Sequence, residues 1–107
     1  FFFYPKNLNF AFIYNQGHIP GAVHYTPKQS LGYKQLLRTL PADGPIALYC
    51  YTGNNTAFVT AYLRLLGYDA RNVLFGINGF MHGYMQAEGI RGAFSAQRVE
   101  NLPVVTE

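Results

Sequence analysis

Apolar residues along this chain repeat with two different periods, and the two patterns alternate from one end to the other. Alternation of apolar and polar residues, or a short unbroken apolar run, predicts a strand, whereas apolar residues three and four positions apart predict a helix. The strand patterns lie at 10–14, 22–25, 46–49 and 73–75, and the helical patterns lie at 30–40, 56–66 and 80–87. Strands that alternate with helices predict an α/β domain with a parallel sheet.

The stretch from Ile46 to Phe75 predicts one complete strand-helix-strand unit. Its first strand is unbroken in apolar residues, as in a parallel strand buried on both faces. Cys50 follows that strand directly, and Gly67 stands where a glycine often ends a helix. The packing positions predicted for the helix are Ala57, Val59, Ala61, Leu63, Leu65 and Leu66. Because ligands bind outside the carboxyl ends of strands in open parallel sheets, Cys50 lies where a site is expected.

The composition indicates one folded globular domain. The chain has 107 residues, of which 50% are hydrophobic and 12% charged, so intrinsic disorder is not expected. Its net charge of +3 comes from scattered Lys and Arg, and no basic run favours nucleic-acid binding. This mild positive charge suits a small anionic substrate instead. No apolar run reaches the roughly 20 residues that a membrane-spanning helix requires, so the domain itself is not expected to insert into a membrane.

The N-terminal segment does not have the features of a signal peptide. Phe1 to Lys6 contains no initiator Met, no basic region and no small-residue cleavage site. We therefore expect any targeting signal to be absent from this chain, and the compartment stays open between the cytoplasm and the periplasm.

Cys50 is the one cysteine of the chain, so an intramolecular disulfide is not possible. Cys50 and the three histidines also lack the paired spacing of a zinc site. If the amides of the following loop turn inward, they and the helix start would stabilise a thiolate, which is the nucleophilic form of cysteine. Such a sulfur needs no cofactor and no separate base. The competing interpretation is a small buried apolar residue.

Three motifs resemble the rhodanese-like domain family of sulfurtransferases. Cys50 to Thr56, C-Y-T-G-N-N-T, is similar to the active-site loop of its single-domain members. Gly17 to Ala22 resembles the family's G-H-I-x-G-A motif, and Leu66 to Asp69 with the following Val73 to Gly76 resembles the end of the helix after the loop and the last strand. The three motifs cover residues 17 to about 80 in the family's order.

The resemblance implies an α/β rhodanese-like fold, with a mainly parallel sheet of about five strands and helices on both faces. It implies that Cys50 carries sulfane sulfur as a persulfide, taken from thiosulfate, polysulfide or a persulfide and passed to a thiol or to cyanide. The amides that would cradle this sulfur belong to Tyr51, Thr52, Gly53, Asn54, Asn55 and Thr56. We expect a monomer without metal or cofactor.

The resemblance also predicts the extent of the domain. We interpret residues 1–107 as one rhodanese-like domain, in which 1–16 form a truncated or irregular N-terminal part and 90–107 a C-terminal extension. The family's D-x-R strand is absent from residues 1–16, and its G-G-x-x-x-W pattern is replaced by Asn78 to Tyr84. The loop carries neutral Asn54 and Asn55 where many members have Arg or Lys, which makes a neutral persulfide donor plausible.

Other functions and roles stay open. Cysteine-dependent phosphatases and arsenate reductases use C-x-x-x-x-x-R, in which Arg grips the oxyanion, but position 56 is Thr. A catalytically silent binding or regulatory module is the main alternative, because one fold serves several functions. Asn54, Asn55 or Thr56 would cap the following helix as well as they would bind substrate. Tyr51 fits either a pocket wall or the core, and Gly53 is expected to have a positive φ or a close backbone contact.

Overall fold

The computed structural model describes residues 2–5, 18–25, 32 and 36–106. The strands are β1 (Phe2–Pro5), β2 (Val23–Tyr25), β3 (Ile46–Leu48) and β4 (Ala70–Asn72). The helices are α1 (Asn54–Leu65) and α2 (Asn78–Ala87), with short 3₁₀ helices at Leu36–Thr39 and Ala96–Arg98. This order contains the predicted strand-helix-strand unit as β3, α1 and β4.

The described strands form one parallel sheet in the order β2-β1-β3-β4. Phe3 pairs with both Val23 of β2 and Leu48 of β3, and Leu48 also pairs with Asn72 of β4. The predicted parallel α/β architecture is therefore confirmed. The described residues form four strands rather than the expected five or so.

The strand at the N-terminus is one that the sequence did not predict. Strand β1 begins at Phe2, whereas the alternating pattern predicted a strand at 10–14, which lies outside the described residues. Strand β1 lies between β2 and β3 in the sheet.

The main core lies around β3. Ile46 and Leu48 are fully buried, as expected for an apolar run in the interior of a parallel sheet. They belong to one buried cluster with Tyr25, Leu37, Leu40, Val59, Leu63 and Ala70. Of the helix predicted at 30–40, the described residues show only the 3₁₀ helix from Leu36 to Thr39. Leu37 within this helix and Leu40 directly after it both belong to the buried cluster.

Helix α1 begins at Asn54, before the predicted start at residue 56, and ends at Leu65. Thr56, Val59 and Leu63 are its buried residues, at the three-and-four spacing of one helix face. The prediction that Ala57, Ala61, Leu65 and Leu66 also pack inward is wrong, since these residues are exposed. Gly67, with φ 94°, ends the helix as predicted.

Strand β4 ends before the apolar residues that were predicted to form it. The prediction of a strand at Val73 to Phe75 is wrong, because Phe75 and Gly76 both have positive φ and the Gly76 amide donates to the Val73 carbonyl in a tight turn. Strand β4 is an edge strand of the described sheet, and its residues Arg71 and Asn72 are exposed. This turn leads directly into α2, which starts at Asn78 rather than at the predicted Phe80.

Candidate active site

Cys50 lies just beyond the carboxyl end of β3, at the sheet edge where the sequence predicted it. Its side chain is buried, with 6% of the residue exposed. The Cys50 carbonyl accepts a hydrogen bond of 2.8 Å from the Ile77 amide. The backbone of Cys50 is therefore fixed from the opposite side by the turn that follows β4.

Two groups of the loop reach the Cys50 sulfur. The Gly53 amide donates to Sγ at 3.2 Å, and the Thr56 hydroxyl lies 3.5 Å from Sγ. Gly53 is the N-cap residue of α1 and has φ 86°, so its backbone turns the amide back toward the cysteine. The loop therefore directs one backbone donor at the Cys50 sulfur.

The Gly53 carbonyl, next to the sulfur, accepts three hydrogen bonds. It accepts hydrogen bonds from the Thr56 hydroxyl at 3.2 Å, from the Asn72 side-chain amide at 3.1 Å and from the Ala57 amide at 2.9 Å. Thr56 is fully buried, so its hydroxyl is held between the Gly53 carbonyl and Sγ. These contacts fix the loop at the residue that supplies the amide to Cys50.

The remaining loop residues that the sequence singled out fall into two groups. Tyr51 is buried in a second core cluster with Ala22, Tyr49, Ile77, Met85 and Ile90, so it packs in the core. Thr52 is half-buried, and Asn54 and Asn55 are exposed. Of the two roles left open for Asn54, Asn55 and Thr56, the capping role is wrong, because Gly53 is the N-cap and no side chain caps the helix.

Gly53 meets both expectations for a glycine at this position. Beyond its positive φ, a Cβ there would lie 3.3 Å from the Val73 carbonyl oxygen and 3.4 Å from the Phe75 amide nitrogen. The segment after β4 therefore packs directly against the loop that contains Cys50.

Gly76 is a site residue that sequence reasoning missed. A Cβ on Gly76 would lie 1.9 Å from the Cys50 carbonyl oxygen and 3.0 Å from the Gly53 amide nitrogen. Neither distance leaves room for a side chain, so glycine is required for this contact. The positive φ of 56° at Gly76 is a second reason for glycine there.

Asn78 is the second residue that was missed, and its side chain joins the loop to the C-terminal segment. Its Nδ2 donates to the Tyr51 carbonyl at 2.7 Å and to the Gly92 carbonyl at 2.9 Å. Its Oδ1 accepts from the Phe94 amide at 2.7 Å and lies 3.1 Å from His82 Nδ1. A nearly buried amide with this many partners holds three separate segments in one geometry.

The part of the Gly17 to Ala22 motif that the structure describes, residues 18–22, contacts the core beside Cys50, and Gly17 lies outside the described residues. The Ile19 amide donates to the Tyr49 hydroxyl at 3.2 Å, and the Ala22 amide donates to the Ile19 carbonyl at 2.9 Å in a turn. Tyr49 is buried and its ring meets Phe80 edge-to-face at 5.8 Å. The motif therefore contacts the residue that precedes Cys50.

An ion pair joins Asp69, which directly precedes β4, to Arg71, which lies within β4. Arg71 donates two hydrogen bonds to Asp69, at 3.2 and 2.9 Å, and these lower the pKa of the Asp69 carboxyl from its ordinary value. The charges of Arg71 and Arg64 lower it further, while partial desolvation opposes them. This ion pair lies on the protein surface and is not part of the Cys50 site.

Among the described residues, no group of three or more His, Cys, Asp or Glu side chains is arranged to hold a metal ion. In the same part of the chain, no helix has both the length and the apolar character needed to cross a membrane.

The family model for the rhodanese-like domain matches residues 7–85. The chain belongs to the rhodanese-like domain family. Thiosulfate sulfurtransferase GlpE from Tolumonas auensis is 29% identical to it over 72 residues, which cover 66% of this chain and 65% of that relative. The match thus spans just under two thirds of the relative's own length.

Two solved structures have the same fold. A rhodanese-related protein from Thermoplasma volcanium is 23% identical, with a TM-score of 0.62 over 77% of this chain and 76% of that one. A rhodanese-like domain protein from Staphylococcus aureus is 22% identical, with a TM-score of 0.55 over 71% and 69% of the two chains. At these identities the likeness confirms the rhodanese-like fold.

Proposed function

We propose that this protein is a sulfurtransferase in which Cys50 carries sulfane sulfur as a persulfide. The observation that carries the proposal is the 3.2 Å hydrogen bond from the Gly53 amide to Cys50 Sγ, at the carboxyl edge of the sheet. Membership of the family and the likeness to a thiosulfate sulfurtransferase support the same chemistry.

The reaction needs two displacements at sulfur. The Cys50 thiolate attacks the outer sulfur of the donor, a new S–S bond forms to Cys50, and the donor's own S–S bond breaks. The leaving group departs with the electron pair as sulfite from thiosulfate, or as a thiolate from a persulfide. A thiol or cyanide then removes the outer sulfur and regenerates the Cys50 thiolate, so no external oxidant or reductant is consumed.

The loop supplies the electrostatics of both displacements. The Gly53 amide holds the negative charge on Sγ before the attack and again after the outer sulfur has left. The Thr56 hydroxyl, at 3.5 Å, can turn its one proton from the Gly53 carbonyl toward the thiolate. The Gly53 carbonyl would keep its bonds from Asn72 and Ala57 during that rotation.

Steady-state sulfur transfer tests this proposal. Thiocyanate release is measured with cyanide as acceptor and either thiosulfate or glutathione persulfide as donor, for the wild type and for Cys50→Ser. We expect turnover by the wild type and none by the variant, because the serine oxygen cannot carry sulfane sulfur. Absence of turnover by the wild type with both donors would overturn the proposal and favour a catalytically silent binding module.

A further inference from the structure

Asn72 reaches the Gly53 carbonyl from the edge strand β4. Its side-chain amide donates to that carbonyl oxygen at 3.1 Å, and the Thr56 hydroxyl donates to the same oxygen at 3.2 Å. We propose that Asn72 is a positioning residue for sulfur transfer, because it satisfies the Gly53 carbonyl and so frees the Thr56 proton for the sulfur. The inference rests on the proposed function and assigns a role in it to a residue outside the cysteine loop.

The Gly53 carbonyl has one donor more than it has lone pairs. A carbonyl oxygen has two lone pairs, but the Ala57 amide at 2.9 Å, the Asn72 amide and the Thr56 hydroxyl all donate to this one. The bond from Ala57 is the first backbone bond of helix α1, so it is kept as long as the helix is formed. The Thr56 hydroxyl has a second acceptor within reach, the Cys50 sulfur at 3.5 Å.

Strand pairing fixes the direction from which Asn72 approaches the loop. Asn72 ends β4 and pairs with Leu48 of β3, and the Val73 amide donates to the Leu48 carbonyl at 2.8 Å. Because Cys50 follows Leu48 by two positions, the sheet holds Asn72 beside the start of the cysteine loop. A Cβ on Gly53 would lie 3.5 Å from Asn72 Nδ2, so the side-chain amide packs directly against Gly53.

The Thr56 proton matters most when Cys50 is the leaving group. In the second displacement, the carbon of cyanide bonds to the outer sulfur, the S–S bond breaks, and the electron pair stays on Cys50 Sγ as thiocyanate departs. Negative charge therefore grows on a buried sulfur, where a hydroxyl that points at it stabilises the transition state. The proton stays on Thr56 throughout, so the step needs no further reactant.

Without the Asn72 amide, the Gly53 carbonyl would compete with the sulfur for the Thr56 proton. The carbonyl would keep its bond from Ala57, but turning the hydroxyl toward the sulfur would leave its second lone pair without a donor. The loss is then one neutral hydrogen bond, which corresponds to a discharge of the persulfide that is about three to ten times slower.

Discharge of preloaded protein isolates this step. The protein is loaded with thiosulfate or glutathione persulfide, freed of donor and mixed with cyanide, and the second-order rate constant of thiocyanate formation is measured. Asn72→Ala is measured alone and together with Thr56→Val or Thr56→Ser, and Asn72→Gln is measured alone. Gln86→Ala is the control, because Gln86 carries an exposed side-chain amide in the last turn of α2. Thermal unfolding verifies that each variant is folded at the assay temperature.

We expect Asn72→Ala to slow discharge by about three- to tenfold when residue 56 is threonine or serine. In the valine background the same change should slow it by less than about twofold, because valine has no hydroxyl proton to release. Asn72→Gln keeps an amide donor at an exposed position, so it should stay within about twofold of the wild type, as should Gln86→Ala.

Two results would overturn the role of Asn72 while leaving Cys50-dependent transfer intact. One is equal slowing by Asn72→Ala in the threonine and valine backgrounds, which would show that Asn72 only fastens the loop. The other is a glutamine variant as slow as the alanine variant. A wild-type protein that takes up sulfur from neither donor would instead remove the proposed function itself.

Discussion

Replacing Gly76 by alanine would place a methyl group inside the backbone that holds Cys50. The new Cβ would lie 1.9 Å from the Cys50 carbonyl oxygen and 2.8 Å from its carbonyl carbon. Because both neighbours are backbone atoms, no side chain can rotate away to make room. The turn after β4 or the Cys50 loop must shift, and the 2.8 Å hydrogen bond from Ile77 to Cys50 would be lost or lengthened.

The magnitude follows from two separable costs. A left-handed φ costs a non-glycine residue about 1–2 kcal/mol, and forcing extra volume into packed surroundings costs about 1–3 kcal/mol. Gly89 supplies a matched control, since its φ of 60° is close to the 56° of Gly76 and a Cβ there would meet nothing within 4 Å. We expect Gly89→Ala to lower the free energy of unfolding by the backbone cost alone. Gly76→Ala should lower it by about 2 kcal/mol more, because it also forces extra volume into packed surroundings.

Denaturant unfolding of the two variants measures this difference, with circular dichroism as the signal. The rate of Cys50 alkylation by iodoacetamide reports the loop geometry at the same time, and only Gly76→Ala should change it. Equal losses in the free energy of unfolding, with alkylation of both variants at the wild-type rate, would show that a Cβ at position 76 does not disturb the Cys50 backbone.

Three further predictions concern single side chains. Thr56→Val should slow persulfide formation on Cys50 several-fold, because the thiolate loses a nearby hydroxyl, whereas Thr56→Ser should retain the rate; stopped-flow kinetics with glutathione persulfide measures both. Asn78→Ala should lower the free energy of unfolding by about 1–3 kcal/mol, because the partly buried Gly92 carbonyl and Phe94 amide lose their side-chain partner, while the Tyr51 carbonyl keeps the bond from the Asn78 main-chain amide; a loss under about 0.5 kcal/mol in denaturant unfolding would show that water replaces the side chain. The lowered pKa of Asp69 means that its pairing with Arg71 stabilises the fold above about pH 4, the unfolded value, and is lost as the pH falls through the folded pKa. The Tm difference between the wild type and Asp69→Asn should therefore be small at pH 7, with the wild type higher, and should shrink as the pH falls below about 4; a constant difference would contradict the assignment.

The position of Cys50 could be predicted because its signals are local. An unbroken apolar run predicts a buried strand, and Gly53 in the polar loop that follows predicts a tight backbone turn before a helix. Both features depend on residues within a few positions of each other, which is the range in which sequence patterns are informative. The positive φ and the close backbone contact of Gly53 confirm that part of the prediction.

The end of β4 could not be predicted from the same kind of pattern. Val73 to Phe75 is the more apolar segment, yet the strand is Ala70–Asn72, whose last two residues are exposed. The chain turns after Asn72 because Gly76 must pack on the Cys50 carbonyl, a contact between residues 26 positions apart in sequence. Hydrophobic pattern contains no information on such a contact.

In the sequence, Asn78 is only the first residue of an altered family motif, and its importance appears only in three dimensions. Its partners Tyr51, Gly92 and Phe94 lie 14 to 27 positions away. The side-chain amide can serve donors and acceptors together, which an apolar residue at the start of α2 could not do. Sequence alone gave no reason to separate this asparagine from exposed ones such as Asn54.

Detection of a sulfur atom bound to Cys50 tests the proposed function directly. The protein is treated with glutathione persulfide or thiosulfate without an acceptor, and its intact mass and the mass of the Cys50 peptide are measured beside Cys50→Ser. We expect a gain of one sulfur atom on the Cys50 peptide, which cyanide removes as thiocyanate and which the variant never shows. A wild-type protein that remains unmodified by both donors, or that gains sulfur equally when Cys50 is serine, would contradict it.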